Sequence, residues 1–481
     1  MQNVDSSSDL SQHPNIILFY SDSHRHDAMG CAGNSAIQTP NLDRLAEKGV
    51  HFTNTYCQSP LCQPSRASII TGKYVRDHGI HWNRMDMDPE WPTFMKQLQT
   101  AGYRTAVVGK THFFGPRMRS NPDLRENSDA ICSFGFDYAL EQFDSQALAF
   151  PLTTAYKEYL KEKGLLETFI KEIEDKKLRD ENEFDGITSE IPEVHSRLSF
   201  TADNAINWLE SYEDKQPYFL WVSFVEPHFP FIDYGHWADF YKDKEIPLGN
   251  LEPLSIPDDA YGQYLKRLED IRYLGHRNED YILNCARHYY GMISLMDQRI
   301  GDVIKVVRDR GEEDNTYLIY TSDHGEMLGQ HGLMTKLMFY RPSSLVPTIV
   351  QPPKGTGTKV ITSATQSVDI TATILDAAGA YPIEGAGGRS LLPAMQGKSL
   401  ERDIAFSELS GLMGQDNYFV MAATERYRYL YDRENDVVCE FFDLEDDPDE
   451  DHNLADDPAY EGIRQDMHKD YVIPFLEGKN F

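Results

Sequence analysis

Four short apolar runs constrain the fold of this chain more than any other feature of its sequence. They are Asn15–Ser21, Arg104–Gly109, Tyr218–Phe224 and Thr316–Thr321. Nearly continuous apolar character over this length is typical of strands buried on both faces, as in a parallel sheet covered by helices. Segments with helical signals lie between the runs, notably Pro40–Lys48 and Tyr289–Arg310. This alternation predicts an α/β fold with a large, mostly parallel sheet flanked by helices.

The pattern changes near the C-terminus. Short strands are predicted at Tyr418–Ala423, Tyr427–Tyr431 and Val437–Asp443, with a closing helix after Pro458. We therefore expect an α/β catalytic domain over residues 14–400 and a small α+β subdomain with an antiparallel sheet over 401–481. The segment from Glu440 to Asp457 holds ten acidic residues and no basic one, and we interpret it as a solvated turn.

Chemically rich segments follow each of the four runs. Asp22 follows the first run, Lys110-Thr111-His112 the second, Glu226-Pro227-His228 the third, and Asp323-His324 the fourth. Open parallel sheets bind their ligands beyond the carboxyl ends of the strands. We therefore expect these four strand ends to converge on one crevice.

The charge of the chain limits its partners. It carries 77 acidic and 46 basic side chains, a net charge of −31. Such a field repels nucleic-acid backbones and anionic lipid surfaces, so we expect no nucleic-acid binding. An anionic substrate would need a local cluster of Lys, Arg and His set in this acidic body.

Three further features concern the compartment. No segment approaches the roughly 20 apolar residues of a membrane span, so none is expected. The first twelve residues are polar and lack the basic and apolar regions of a signal peptide. The six cysteines are scattered without a CxxC pair, which argues against a disulfide scaffold or structural zinc. We expect a periplasmic or secreted protein whose signal peptide is absent from this chain, with a cytoplasmic location as the alternative.

The strongest local motif lies in the segment Ser59–Gly72. Cys62 precedes Pro64 at a predicted helix start, and Gly72 closes the helix. The free N–H groups and the dipole at a helix N-terminus favour negative charge. Arg66, one turn further on, would face the same point. The segment therefore predicts a thiolate-type nucleophile or an anion-binding site.

This segment resembles the Cys-x-Pro-Ser-Arg motif of the formylglycine-dependent (type I) sulfatases of the alkaline phosphatase superfamily. Other blocks are also similar to that family, and together they cover nearly the whole chain: Asp22–Gly33, Gly109–His112, Pro227–Pro230, Asp323–Gly329 with Lys336, and Phe442–Leu454. The sequence departs from the common pattern at two positions. Ser23 stands where many members have a second Asp, and His324 stands where many have Asn. The Asp–His form occurs in some bacterial glycosaminoglycan sulfatases, choline sulfatases and phosphonate monoester hydrolases.

The resemblance implies a modified nucleophile and a metal. In the family a maturation enzyme, here an expected partner, oxidises the cysteine to formylglycine, whose hydrate attacks sulfur; Cys62 takes this role. The implied ligands of a divalent metal are Asp22, Asp323, His324 and the modified Cys62, with Ser23 as an additional candidate. Oxygen-rich ligation and the family favour Ca²⁺, while His324 leaves Mg²⁺ or Mn²⁺ open.

The resemblance also implies roles for the basic residues. Arg66 and Lys110 would position the formylglycine and neutralise charge. His112 would take a proton from the covalent hemiacetal sulfate, which expels sulfate. His228 and Lys336 would bind the sulfate and protonate the leaving oxygen.

Substrate specificity is expected in loops outside the sulfate pocket. The candidate residues are His81, Asn83, Arg84, Arg117 and His195. Cations there suit a carboxylate beside the sulfate. The chain is thus most similar to bacterial sulfatases that remove a 2-O-sulfate from a terminal (unsaturated) uronate of heparin or chondroitin disaccharides. The acidic body favours such small fragments over long polyanions.

There are three alternatives to this uronate 2-O-sulfatase activity. The first is a hexosamine 6-O-sulfatase. The second is a phosphonate monoester or phosphodiester hydrolase of the same superfamily. The third, a non-catalytic glycan-binding protein, predicts the loss of several catalytic residues, which this sequence retains.

Overall fold

An eight-stranded sheet forms the centre of the structure. The computed structural model describes residues 13–115, 123–143, 152–175, 185–253, 259–272, 278–400, 402–411 and 417–481. Across the sheet the strands lie in the order Lys359–Ile361, Val50–Phe52, Thr348–Gln351, Thr316–Ser322, Asn15–Ser21, Tyr218–Ser223, Arg104–Gly109 and Tyr138–Glu141. Of these eight, Thr348–Gln351 alone runs antiparallel to its neighbours. The predicted large, mostly parallel sheet is confirmed.

The four apolar runs form four adjacent strands of this sheet. Every residue of Asn15–Ser21 and Tyr218–Ser223 is buried, as nearly continuous apolar runs require. Alternate side chains contribute to two separate cores. Ile17 and Phe19 belong to one core, whereas Ile16 and Leu18 belong to the other. The sheet is therefore covered on both faces.

Helices pack against both faces of the sheet. The first core includes residues of Pro40–Lys48, Ala155–Glu162, Leu166–Asp175, Arg197–Ser211 and Glu279–Asp309. The second includes residues of Cys62–Thr71, Phe94–Thr100, Asn127–Cys132, Ser367–Ala377 and Leu392–Met395. The helix predicted at Tyr289–Arg310 begins earlier, at Glu279, because the Asn278 side chain accepts a hydrogen bond from the Tyr281 N–H at 3.0 Å and caps it.

Smaller elements complete this part of the fold. Two short parallel pairs join Thr55–Tyr56 to Thr365–Gln366 and Gly186–Thr188 to Phe231–Asp233. Further helices span Val75–His78, Gly235–Tyr241, Ala260–Arg272 and Arg341–Ser344. Within the described ranges, no helix combines the length and apolar character needed to cross a membrane.

The C-terminal part contains the predicted small antiparallel sheet. Its four strands lie in chain order: Ala405–Ser410, Tyr418–Ala423, Tyr427–Asp432 and Val437–Asp443. The first of them was not predicted from the sequence. Helices at Glu461–Met467 and Ile473–Leu476, joined by a π-helical turn at His468–Val472, pack on this sheet. The domain boundary near residue 400 stays a prediction.

The interpretation of the acidic C-terminal segment as a solvated turn is wrong for three of its carboxylates. Glu440, Asp443 and Glu450 are buried. Arg428, also buried, pairs with Glu440 at 2.9 Å and with Glu450, while Arg426 pairs with Asp443 at 2.8 Å. A buried arginine needs such partners because an unpaired buried charge is strongly destabilising.

Candidate active site

Two carboxylates lie side by side at the ends of the two central strands. Asp22 follows Asn15–Ser21 and Asp323 follows Thr316–Ser322, and these parallel strands are paired so that Ser21 lies opposite Ser322. The Ser23 N–H donates to Asp323 Oδ1 at 3.1 Å, and the Ser23 hydroxyl donates to Asp22 Oδ1 at 2.9 Å. Ser23, a candidate metal ligand, thus orients both carboxylates by hydrogen bonds.

The helix Cys62–Thr71 places the proposed nucleophile beside these carboxylates. Cys62 is its first residue, and Gly72 ends it in the left-handed conformation, as the motif predicts. The Ser65 hydroxyl donates to the Asp323 carbonyl at 2.6 Å, which fixes the helix against the strand end. The Cys62 sulfur lies 3.2 Å from His324 Nε2 and 3.8 Å from Asp22 Oδ1.

Four side chains here form a possible metal site. Ligand atoms of Asp22, Cys62, Asp323 and His324 all lie within 4.8 Å of one another, and all four residues are buried. Two carboxylates and an imidazole suit a divalent cation, and conversion of Cys62 to formylglycine would replace a soft sulfur with a hard oxygen donor. The residues therefore fit the metal that the resemblance implies. His324 Nδ1 lies 2.8 Å from the Gly325 carbonyl, which leaves Nε2 directed at the cluster.

Four basic side chains surround the same point. Lys110 Nζ lies 2.8 Å and Arg66 Nη2 3.2 Å from Asp22 Oδ2. Lys336 Nζ lies 3.2 Å from the Cys62 sulfur, and His228 Nε2 lies 4.0 Å from Asp22 Oδ1. This is the local basic cluster that an anionic substrate requires in an acidic protein.

The electrostatics of the cluster favour a charged nucleophile and a charged Asp22. Burial raises the pKa of Asp22, but the cations led by Lys110 outweigh it and hold this pKa well below its usual range. Burial and Asp22 raise the pKa of the Cys62 thiol, yet Lys336, Lys110 and His324 bring it well below the ordinary value. Burial together with the Asp22 charge raises the pKa of Asp323. Burial and Lys336 lower the pKa of His228.

The loop after Arg104–Gly109 holds Lys110 and His112. Gly109 has φ 117°, and a Cβ there would lie 1.8 Å from the Ser223 carbonyl, so the close approach requires glycine. His112 has a left-handed backbone with φ 57°. Its side chain makes no hydrogen bond or ion pair with the Asp22 cluster among the described residues.

Glu141, at the end of a neighbouring strand, supports this loop. Its Oε1 accepts from the Thr111 hydroxyl at 2.5 Å and from the His112 N–H at 3.3 Å. Burial raises the pKa of Glu141 to about 7. Sequence reasoning missed this residue because a glutamate at the end of a strand is usually exposed, and nothing in the sequence of Tyr138–Glu141 indicates that Glu141 is buried.

Two further supporting interactions were also missed. The Arg66 Nη1 donates to the Lys110 carbonyl at 2.7 Å and to the Ser223 hydroxyl at 3.2 Å, and its guanidinium lies over the ring of Tyr20. Arg197 pairs with Glu226 at 2.8 Å, both of them buried. The position of Glu226 beside His228 at a strand end was the only signal for that pair.

The candidate specificity residues lie outside the cluster. Asn83 Oδ1 accepts from the Gln63 N–H at 2.9 Å and so caps the nucleophile helix. His81 Nδ1 lies 3.1 Å from the Gly79 carbonyl, and Arg84 is exposed. His195 Nδ1 lies 2.7 Å from the Tyr159 hydroxyl. Arg117 lies outside the described residues.

Comparison with known proteins agrees with this geometry. The family model described as Sulfatase matches residues 14–380, most of the chain. The chain belongs to the sulfatase family. It is a sulfuric ester hydrolase with an alkaline-phosphatase-like fold. A second model, described as N-sulphoglucosamine sulphohydrolase, C-terminal, matches residues 329–473 of this sulfatase.

Relatives of this sulfatase include several kinds of enzyme. It is 29% identical to an arylsulfatase of Clostridium perfringens (strain 13 / Type A), over 97% of this chain and 95% of the relative. It is 28% identical to an N-acetylglucosamine-6-O-sulfatase of Bacteroides thetaiotaomicron, over 80% of this chain and 71% of the relative. In fold it is similar to the phosphonate monoester hydrolase SpPMH from Silicibacter pomeroyi, with TM-score 0.79, 22% identity, and coverage of 97% and 96% of the two chains.

Proposed function

We propose that this sulfatase hydrolyses sulfate esters of small sulfated saccharides with formylglycine derived from Cys62 as nucleophile. The observation that carries this proposal is the position of the Cys62 sulfur, 3.2 Å from both His324 Nε2 and Lys336 Nζ at the edge of the carboxylate pair. A nucleophile at this point is held by a helix N-terminus and surrounded by cations. The proposal includes a maturation enzyme that converts Cys62.

A divalent metal, with Ca²⁺ favoured, would be held by Asp22, Asp323, His324 and the modified Cys62. When bound, the metal would stabilise negative charge on the sulfuryl oxygens. Arg66 orients both carboxylates and favours their ionised forms, because it donates to Asp323 at 3.0 Å and to Asp22 at 3.2 Å.

The remaining basic residues bind the sulfate and move protons. Lys110 and Lys336 lie on the Asp22 and Cys62 sides of the cluster, where they neutralise the substrate oxygens. The lowered pKa of His228, caused by burial and Lys336, makes its imidazole a better acid once it carries a proton. With Lys336, His228 protonates the leaving oxygen. His112 is assigned the proton removal that releases sulfate.

For the saccharide, we propose an exo-acting 2-O-sulfatase of a terminal, unsaturated uronate in glycosaminoglycan disaccharides. Arg84 is exposed on the loop that also carries Asn83, the residue that caps the nucleophile helix. Its guanidinium makes no ion pair with a described residue, so it is available for a uronate carboxylate. The 6-O-sulfatase activity named for the Bacteroides thetaiotaomicron relative makes a hexosamine 6-O-sulfate the second candidate.

The mass of the peptide that contains Cys62 tests the nucleophile. We expect a loss of about 18 Da, the change from thiol to aldehyde, in active protein. An unmodified thiol in fully active protein would exclude the proposed chemistry. Parallel assays with an aryl sulfate and an aryl phosphodiester separate sulfatase activity from phosphodiester hydrolysis.

Sulfate release from defined unsaturated disaccharides tests the specificity. We expect release from a 2-O-sulfated uronate, and release only from a 6-O-sulfated hexosamine would contradict the proposal. Arg84→Gln should raise KM for the uronate substrate about tenfold, the effect of one charged hydrogen bond. An aryl sulfate, which has no carboxylate, serves as the matched control and should be hydrolysed equally by both proteins.

A further inference from the structure

A second group of basic side chains lines a cavity apart from the active site. The cavity has a volume of about 710 Å³ and is bordered by His51 of the main sheet and by Arg426, in the turn between two strands of the C-terminal sheet. His26 and Arg341 also line it. None of the residues of the Asp22 cluster lines this cavity, which we call the His51 cavity.

Three side chains of the His51 cavity carry nitrogen atoms that have no hydrogen-bond partner among the described residues. His51 is only 5% exposed, and its imidazole makes no hydrogen bond. Nδ1 of His26 and Nε of Arg341 are buried and also unpaired, whereas Nη1 of Arg341 donates to the Pro448 carbonyl at 3.2 Å. Buried polar groups in native proteins are nearly always paired, so three side chains with unpaired nitrogens in the wall of one cavity indicate a ligand with several acceptor atoms.

The acidic residues of the cavity wall are engaged elsewhere or lie at its mouth. Asp27 receives two hydrogen bonds from Arg25, at 2.8 and 2.7 Å. Glu445 pairs with Arg426 at 2.9 Å, and Glu425 is exposed. The Arg341 charge is therefore not balanced by a carboxylate on the inner wall.

Both imidazoles of the His51 cavity are neutral at physiological pH. Burial lowers the pKa of His26 to about 3 against the opposing effect of Asp27, and Arg341 adds to this lowering. Burial also lowers the pKa of His51. A neutral imidazole still carries one N–H donor, so the cavity combines one full positive charge with two neutral donors.

We propose that the His51 cavity binds a tetrahedral oxyanion, either sulfate or phosphate, free or as a group on a saccharide. Arg341 would supply the charge, and His26 and His51 would each donate a hydrogen bond to one of its oxygens. Arg341 disfavours a cation, and an uncharged ligand would leave the Arg341 charge, which forms no ion pair with a described residue, without a counter-ion. The proposal does not depend on the catalytic activity of the Asp22 cluster.

Equilibrium dialysis with radioactive inorganic sulfate tests the proposal. We expect the wild-type protein to bind two sulfate ions, one in the active site and one in the His51 cavity. His51→Leu and Arg341→Met should each bind one and hydrolyse an aryl sulfate at the wild-type rate. The control Lys336→Ala should lose the other ion, because Lys336 lies at the catalytic cluster.

The counts separate this proposal from that for the active site. The proposal of an oxyanion site in the His51 cavity would be overturned if the wild type bound only one sulfate ion and Lys336→Ala bound none. It would also be overturned if both cavity variants still bound two sulfate ions. If the sulfatase chemistry is misassigned, the ion lost with His51→Leu is still observed. Competition experiments with Lys336→Ala show whether the ligand of the cavity is a free anion or a group on a saccharide. Displacement of the remaining sulfate by inorganic phosphate but not by a sulfated disaccharide supports a free anion. Displacement by both supports a saccharide group.

Discussion

Replacement of Arg66 by methionine tests the electrostatics of the active site most directly. The Arg66 side chain is fully buried, with Nε 3.0 Å from Asp323 Oδ2 and Nη2 3.2 Å from Asp22 Oδ2. Arg66→Met keeps an unbranched apolar stem of similar length and removes the charge. In the metal-free protein, Asp323 then loses its one arginine partner among the described residues, while Asp22 keeps Lys110 at 2.8 Å.

The expected loss follows from this geometry. Removal of one partner from a buried ion pair costs about 3–5 kcal/mol, because the other charge stays buried and uncompensated. We expect a loss in this range, since the surviving Lys110 contact protects one of the two carboxylates. A domain in the upper part of the usual range of about 5–15 kcal/mol would remain folded after this loss. Activity should fall by about 100-fold or more, as with other lost charge-stabilising donors.

Urea unfolding of the metal-free protein measures this loss. Added Ca²⁺ should stabilise Arg66→Met more than the wild type, because a bound cation replaces the missing charge and binds only the folded state. Arg428→Met, which breaks the buried pair with Glu440 and Glu450 in the C-terminal sheet, is the matched control: it should lose similar stability without this calcium rescue. A loss of about 1 kcal/mol or less, typical of a surface pair, would refute the reasoning.

Two further predictions concern the loop that carries Lys110. Gly109→Ala places a Cβ 1.8 Å from the Ser223 carbonyl and should lower the free energy of unfolding by about 3 kcal/mol or more. The control Gly311→Ala, at φ 73° with no atom within 4 Å of the new Cβ, should lower it by about 1 kcal/mol. Equal losses in the two variants would show that the backbone shifts to relieve the contact with Ser223. The folded pKa of Glu141, about 7, lies above its ordinary value of 4.5, so folded protein binds a proton that unfolded protein releases. This group therefore contributes stability below about pH 4.5, and the contribution is lost as pH rises through 7. Between pH 5 and pH 8 the free energy of unfolding should fall less for Glu141→Gln than for the wild type. An equal fall in both proteins would contradict the raised pKa of Glu141.

The central sheet and the nucleophile helix could be predicted because local patterns specify them. Asn15–Ser21 and Tyr218–Ser223 are buried on both faces, so their apolar character is nearly continuous and visible in the sequence. The helix Cys62–Thr71 carries its own end signals in Pro64 and Gly72. Residues at these strand and helix ends were thereby placed in one crevice.

Features that depend on distant partners could not be predicted. The strand Ala405–Ser410 contains Glu408, whose buried carboxylate accepts hydrogen bonds from the Val75 and Arg76 N–H groups, more than 300 residues earlier in the chain. A similar limit applies to Glu440 and Glu450, although their partner lies only 12 and 22 residues away in the chain. Their burial depends on Arg428, and a sequence window cannot distinguish a paired buried carboxylate from a solvated one.

The burial of Cys62 has a consequence for the order of events during biosynthesis. Its side chain is 1% exposed, and the first turn of its helix is fixed against the Asp323 carbonyl through Ser65. A protein catalyst that oxidises this thiol would have to reach a side chain that the folded chain covers almost completely. Under the proposed function, conversion would therefore precede the folding of this segment, and protein that folds first would keep an unmodified thiol.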